Sequence, residues 1–194
     1  MKLPILLEMD GLKALVIGGG NVGSRRAQTF AQAGCRVTVL TPSSEGNQRE
    51  IPGCCVQAQP YSAEQLEGVS ICAAATNDHA LNAQIVDDCK ARGILVNAAD
   101  DPDRSDYFFP SVIRRGDLTI SVCTEGASPS MTREIAETLR EQYPESVGEK
   151  LKYLKILRGR ILNDGRPKAE QRRDLKRIAG WPLERLKEEA ERGA

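Results

Sequence analysis

Residues 12–23 read Leu12-Lys13-Ala14-Leu15-Val16-Ile17-Gly18-Gly19-Gly20-Asn21-Val22-Gly23, an apolar run that ends in a glycine-rich turn. The run suits a buried strand, and Val22, Arg26, Phe30 and Ala33 then recur at helical spacing. Gly34 stands where a helix closes in the left-handed region, and a second apolar run follows at 36–40. Strand, turn, helix and strand thus follow one another within about thirty residues, the context that gives a G-x-G-x-x-G motif meaning. In such a unit Gly18 permits the tight turn, Gly20 lets the backbone approach a diphosphate, and Gly23 lets the helix lie close on the strand. Backbone at Asn21 and Val22, with the positive end of the helix, supplies the anion site. The expectation is a bound dinucleotide.

The second strand ends at Leu40-Thr41-Pro42, where an acid normally holds the adenosine ribose. Thr41 and Ser43 offer hydroxyls, Glu45 lies a little beyond, and no basic residue greets a 2′-phosphate. NAD is therefore expected over NADP, with Thr41 and Pro42 beside it.

Further apolar runs at 54–57, 69–75, 94–98 and 118–122 alternate with helical stretches, one carrying Leu81, Ile85 and Cys89 before Gly93. Ser62 and Gln65 resemble a capping box. Continuous rather than alternating apolar runs suit strands covered on both faces, and the alternation predicts an α/β fold with a Rossmann-like parallel sheet. After Gly126 the pattern turns helical. Ser128-Pro129 suits a helix start, Met131, Ile135 and Leu139 share one face, and Val147, Leu151, Leu154, Leu157 and Ile161 share another. A charged helical stretch from Lys168 is interrupted at Gly180-Trp181-Pro182.

Composition narrows the classes. The 194 residues are 40% hydrophobic and 28% charged, as in folded domains. Lysine plus arginine equals aspartate plus glutamate at 27 each, so no global field favours nucleic acid. No apolar run suits a signal peptide or a membrane span, and the expected location is the cytoplasm. The six cysteines lack C-x-x-C spacing and read as reduced thiols. With one histidine in the chain, His79, a multi-histidine metal site is excluded by counting, and no metal ligand set is expected.

Ligands of open α/β sheets lie beyond the carboxyl ends of the strands. Two such ends are polar. In Ala73-Ala74-Ala75-Thr76-Asn77-Asp78, small residues let a cofactor lie close, with Thr76 and Asn77 near its ribose or nicotinamide. In Val96-Asn97-Ala98-Ala99-Asp100-Asp101-Pro102, an aspartate facing the cofactor suits a general base. The same aspartates equally suit capping of a turn before Pro102. Both readings stand on pattern alone.

The runs Gly18-Gly19-Gly20-Asn21-Val22 with Arg25-Arg26, Ala75-Thr76-Asn77-Asp78 with Leu81-Asn82, Asn97-Ala98-Ala99-Asp100, Phe109-Pro110-Ser111 and Thr124-Glu125-Gly126-Ala127-Ser128-Pro129 jointly resemble the precorrin-2 dehydrogenase family. That family includes the dehydrogenase/ferrochelatase part of siroheme synthase, and the likeness keeps order and spacing over residues 1 to 140. It implies oxidation of precorrin-2 to sirohydrochlorin with NAD, and in some members insertion of ferrous iron. It places the family's essential aspartate on Asp100. It also implies a homodimer and the division 1–112 NAD-binding domain, 113–145 dimerisation segment and 146–194 helical C-terminal domain. With no methyltransferase segment in the sequence, the expectation is not the full trifunctional synthase.

A polycarboxylate substrate calls for cations and hydrogen-bonding groups. Asn97, Arg104, Arg114, Thr124 and Ser128 are the candidates, with Arg115 beside Arg114, and Arg25 and Arg26 near the phosphates. Ser128 equally suits an N-cap. His79 is expected exposed in the first turn of its helix, without a role. Two other readings are a bifunctional dehydrogenase and ferrochelatase, and a non-catalytic NAD-sensing module. The sensor normally carries the acid after the second strand and has no need of the 97–100 and 124–129 runs.

Overall fold

The strand at the centre of the sheet, β1 (Lys13–Ile17), is buried at every position after its first. Parallel neighbours cover both of its edges: β2 (Arg36–Thr41) pairs Val39 with Val16, and β4 (Ile71–Ala74) pairs Ala73 with the same residue. With β3 (Cys54–Ala58) and β5 (Leu95–Ala98), the strands form a five-stranded sheet of order β3-β2-β1-β4-β5. The chain leaves β1 toward one side and returns to the other at β4, so the order reverses between these two strands. Their carboxyl ends form the crevice in which ligands of open sheets bind. The structure is a computed structural model that describes residues 2–42 and 50–192; Ser43 and Glu45 lie outside the described residues.

Alternation along the strands divides the core into two layers. Val16, Val39 and Ala73 face helix α1 (Asn21–Gln32) through Ala27 and Phe30. Leu15, Cys72 and Val96 face helix α2 (His79–Ala91) through Ile85, Val86 and Cys89. Gly34 and Gly93 close these helices with φ of 87° and 67°, a region that glycine enters without steric cost. Gln65 accepts the Ser62 N–H at 2.7 Å at the start of a 3-10 turn over Ala63–Leu66.

The expected α1 stripe is corrected. Its buried residues are Gly23, Ala27 and Phe30, whereas Val22 is 39% exposed and Ala33 is half-buried. Gly23 must face the sheet because it packs against β1, and this turns the helix by one position from the hydrophobic reading.

The chain divides into two units, Met1–Phe109 and Pro110–Ala194. The second opens with a hairpin of β6 (Ser111–Arg115) and β7 (Leu118–Val122), joined by the two residues Gly116 and Asp117. This corrects the reading of 118–122 as one more strand of the α/β alternation. Its burial alternates between half-buried and exposed, as in an antiparallel strand with one covered face. Helix α3 (Pro129–Gln142) follows, then α4 (Ser146–Leu162), α5 (Lys168–Ala179) and α6 (Leu183–Glu191). Leu157, Ile178, Leu186 and Ala190 form the core that joins α4, α5 and α6.

Candidate active site

The glycine turn after β1 is fixed by hard contacts. Gly18 has φ of 108°, and a Cβ there falls 2.2 Å from the Ala75 carbonyl oxygen. A Cβ on Gly23 falls 1.9 Å from the Gly18 oxygen. On Gly20 it meets nothing within 4 Å. Gly20 is also the N-cap of α1, where no side chain caps the helix and the first turn holds no acid. An uncapped helix start with an open approach on one glycine fits the diphosphate of a dinucleotide. Thr41 completes this rim: it is 6% exposed, and a Cβ on Gly19 falls 3.1 Å from its hydroxyl. Pro42 follows it at the surface.

The turn after β4 is held by a side chain. Asn82, 1% exposed, accepts the Thr76 hydroxyl at 2.7 Å and the Thr76 N–H at 3.2 Å, and donates to the Thr76 carbonyl at 3.1 Å. Asp78 caps α2 by accepting the N–H groups of Ala80 at 2.9 Å and Leu81 at 3.1 Å. Asn77 is exposed between them.

Beyond β5, the Ala99 N–H donates to the Ala74 carbonyl at 2.8 Å and carries Asp100 to the same sheet edge. The Asp100 side chain is 18% exposed and pairs through Oδ2 with Nδ1 of His79. Burial raises its pKa, but hydrogen bonds from Asn82, His79 and its own backbone outweigh this and leave it below the ordinary carboxylate value. The capping reading holds for one of the two aspartates. Asp101 is the cap, accepting the Arg104 N–H at 3.2 Å at the 3-10 turn Pro102–Arg104, while Asp100 is turned to the sheet edge.

A pocket of about 150 Å³ lies here, lined by His79, Ala83, Val86, Ala98, Asp100 and Arg104 among others. Arg104 pairs there with Asp87. Arg26 lies across the end of β4. It donates to the Ala74 carbonyl at 3.4 Å and stacks 5.4 Å from the Phe109 ring centre. Burial lowers its pKa, opposed by Tyr107 and Asp100. Asn97 is 4% exposed; its amide donates to the Tyr107 carbonyl at 2.7 Å, and its buried Oδ1 has no partner.

The remaining candidates belong to the second unit. Arg114 is exposed on β6, and Arg115 is tied to Glu145 at 2.9 Å and the Tyr143 carbonyl at 2.8 Å. The Thr124 hydroxyl lies 2.8 Å from that of Thr132. Ser128 caps α3, accepting the Met131 N–H at 3.2 Å.

Sequence reasoning missed Asn82, the Arg26 placement and the His79 contact. His79 is exposed as expected, but it has Asp100 as a partner.

Residues 5–111 match a family model described as "Putative NAD(P)-binding". The chain is 33% identical over 162 residues to a siroheme synthase of Ectopseudomonas mendocina, covering 82% of this chain and 35% of that protein. A siroheme synthase of Photorhabdus laumondii is 35% identical over 162 residues, with 82% and 34% covered. The chain thus spans about a third of the length of these relatives. The solved structure of SirC, a precorrin-2 dehydrogenase, is similar at 28% identity and a TM-score of 0.74, covering 98% of this chain and 100% of that one.

Proposed function

The chain belongs to the NAD(P)-binding family that its residues 5–111 match, and from that membership we propose that it is an NAD-dependent dehydrogenase converting precorrin-2 to sirohydrochlorin. The observation that carries this reading is the likeness to SirC along practically the whole of both chains. The siroheme synthases support the same substrate class.

NAD, when bound, supplies the hydride acceptor. The residues of this chain do the rest. The start of α1 at Gly20, with Asn21 and Val22, holds the diphosphate; Thr41 and Pro42 flank the ribose, and Thr76 and Asn77 border the nicotinamide end. The absence of a basic residue at Thr41-Pro42 supports NAD over NADP. Asp100 is the proton acceptor: its lowered pKa keeps it ionised at neutral pH, and its donors fix its orientation. Asn97, Arg104, Arg114, Thr124 and Ser128 are the proposed substrate contacts, Ser128 in addition to its cap. Arg26, laid beside Asp100 at the sheet edge, joins them.

The protein is proposed to act as a homodimer through residues 113–145. This is supported by Met131 and Ile135, 54% and 39% exposed on one face of α3. The described residues contain no helix long and apolar enough to cross a membrane. All six cysteines are unpaired, which supports a reducing compartment and hence the cytoplasm.

Oxidation of precorrin-2 followed by NADH absorbance tests the reading. Wild-type protein is expected to turn over with NAD and more slowly with NADP. Asp100→Ala is expected to lose roughly 10²- to 10⁴-fold in kcat with NAD affinity retained. Equal rates in the two proteins would remove Asp100 as the base; no turnover by the wild type, with NAD still bound, would favour the sensor module.

A further inference from the structure

The assignment that follows rests on the dehydrogenase reading. His79 is the first residue of α2, set directly after the capping residue Asp78. The cap fixes the backbone beneath the ring, so the imidazole has a defined base although its side chain is 85% exposed. From there Nδ1 reaches Oδ2 of Asp100, 21 residues on in the chain. The same carboxylate takes a hydrogen bond from Asn82, which Thr76 locks in place. Two residues of one helix, one turn apart, therefore grip the proposed base, one buried and one open to water.

We propose that His79 is a positioning residue for Asp100: its Nδ1–H holds Oδ2 and fixes the orientation in which the carboxylate meets the substrate. In the oxidation the substrate loses two hydrogens. One leaves as hydride to the dinucleotide; the other leaves as a proton, which ionised Asp100 accepts and then returns to water. Held by Asn82 on one side and His79 on the other, the carboxylate keeps one orientation through that transfer.

Two measurements test this. The first needs no turnover: His79 is the only histidine in the chain, so its imidazole proton resonances report this contact alone. Asp100→Asn is expected to move those resonances at fixed pH; unmoved resonances would overturn the pairing. The second separates kcat from KM in precorrin-2 oxidation. His79→Gln, which keeps a donor, is expected to retain kcat within about threefold of wild type. His79→Ala is expected to fall roughly three- to tenfold in kcat with KM for NAD unchanged. A His79→Ala protein with wild-type kcat, or a His79→Gln protein no better than His79→Ala, overturns the assignment. A wild type without dehydrogenase activity overturns the reading on which it rests, and the resonance then still reports whether the pair exists.

Discussion

A Cβ placed on Gly18 overlaps the Ala75 carbonyl, and one on Gly23 overlaps Gly18 itself, whereas one on Gly20 points into open space. Gly18→Ala and Gly23→Ala are therefore expected to destabilise the fold by about 3 kcal/mol or more, from left-handed strain at the first and backbone overlap at both. Gly20→Ala is expected to leave the melting temperature unchanged and to weaken NAD binding. Thermal melts with calorimetric titration of NAD separate the outcomes; a Gly20→Ala protein that binds NAD as wild type does would remove that glycine from the cradle. These positions were legible because strand, glycine turn and helix follow one another directly in the sequence, although the Gly18 overlap itself is with Ala75 beyond β4. Asn82 and His79 were not. The Asn82–Thr76 contact, 6 residues apart, forms only in the folded turn after β4, and the His79–Asp100 contact, 21 apart, only once α2 lies beside the end of β5. The Asp100 reading was open for the same reason: one-dimensional pattern does not distinguish a cap from a base, and hydrogen-bond geometry assigned the cap to Asp101.

At the scale of elements, the parallel strands were readable because burial on both faces leaves continuous apolar runs. β6 was not, since Arg114 and Arg115 interrupt its apolar character and its pairing depends on the Gly116-Asp117 turn. The α4–α5 connection carries an electrostatic prediction. Asp164 accepts from Arg166 at 2.8 Å and from Gln171 at 3.1 Å, and the Arg166 bonds first, then Gln171, pull its pKa from 3.8 to about 2. A depressed carboxylate stabilises the folded state fully above its unfolded pKa, and this contribution disappears as pH falls from about 4 toward 2. Asp164→Asn is accordingly expected to lower the melting temperature near neutral pH and to match wild type near pH 2. A difference of equal size at both values would exclude the ionised carboxylate as the cause.

For the whole molecule, the two units carry different parts of the proposal. The first holds the dinucleotide cradle and Asp100; the second exposes Met131 and Ile135 on α3. If that face is where two copies meet, Met131→Glu with Ile135→Glu is expected to shift the sedimenting species from dimer to monomer with secondary structure intact. A wild type that sediments as monomer at every concentration would end the dimer proposal. The overlap that forbids a side chain at Gly18 has one further meaning. The turn after β1 lies in close backbone contact with the turn after β4, and Asn82 ties the latter down again, so these walls of the crevice are ordered by the chain's own contacts. Association then does not have to draw on its own free energy to order them. For this part of the crevice, mutations that loosen Asn82 are expected to raise the entropic cost of capture while leaving every direct contact to the ligand in place.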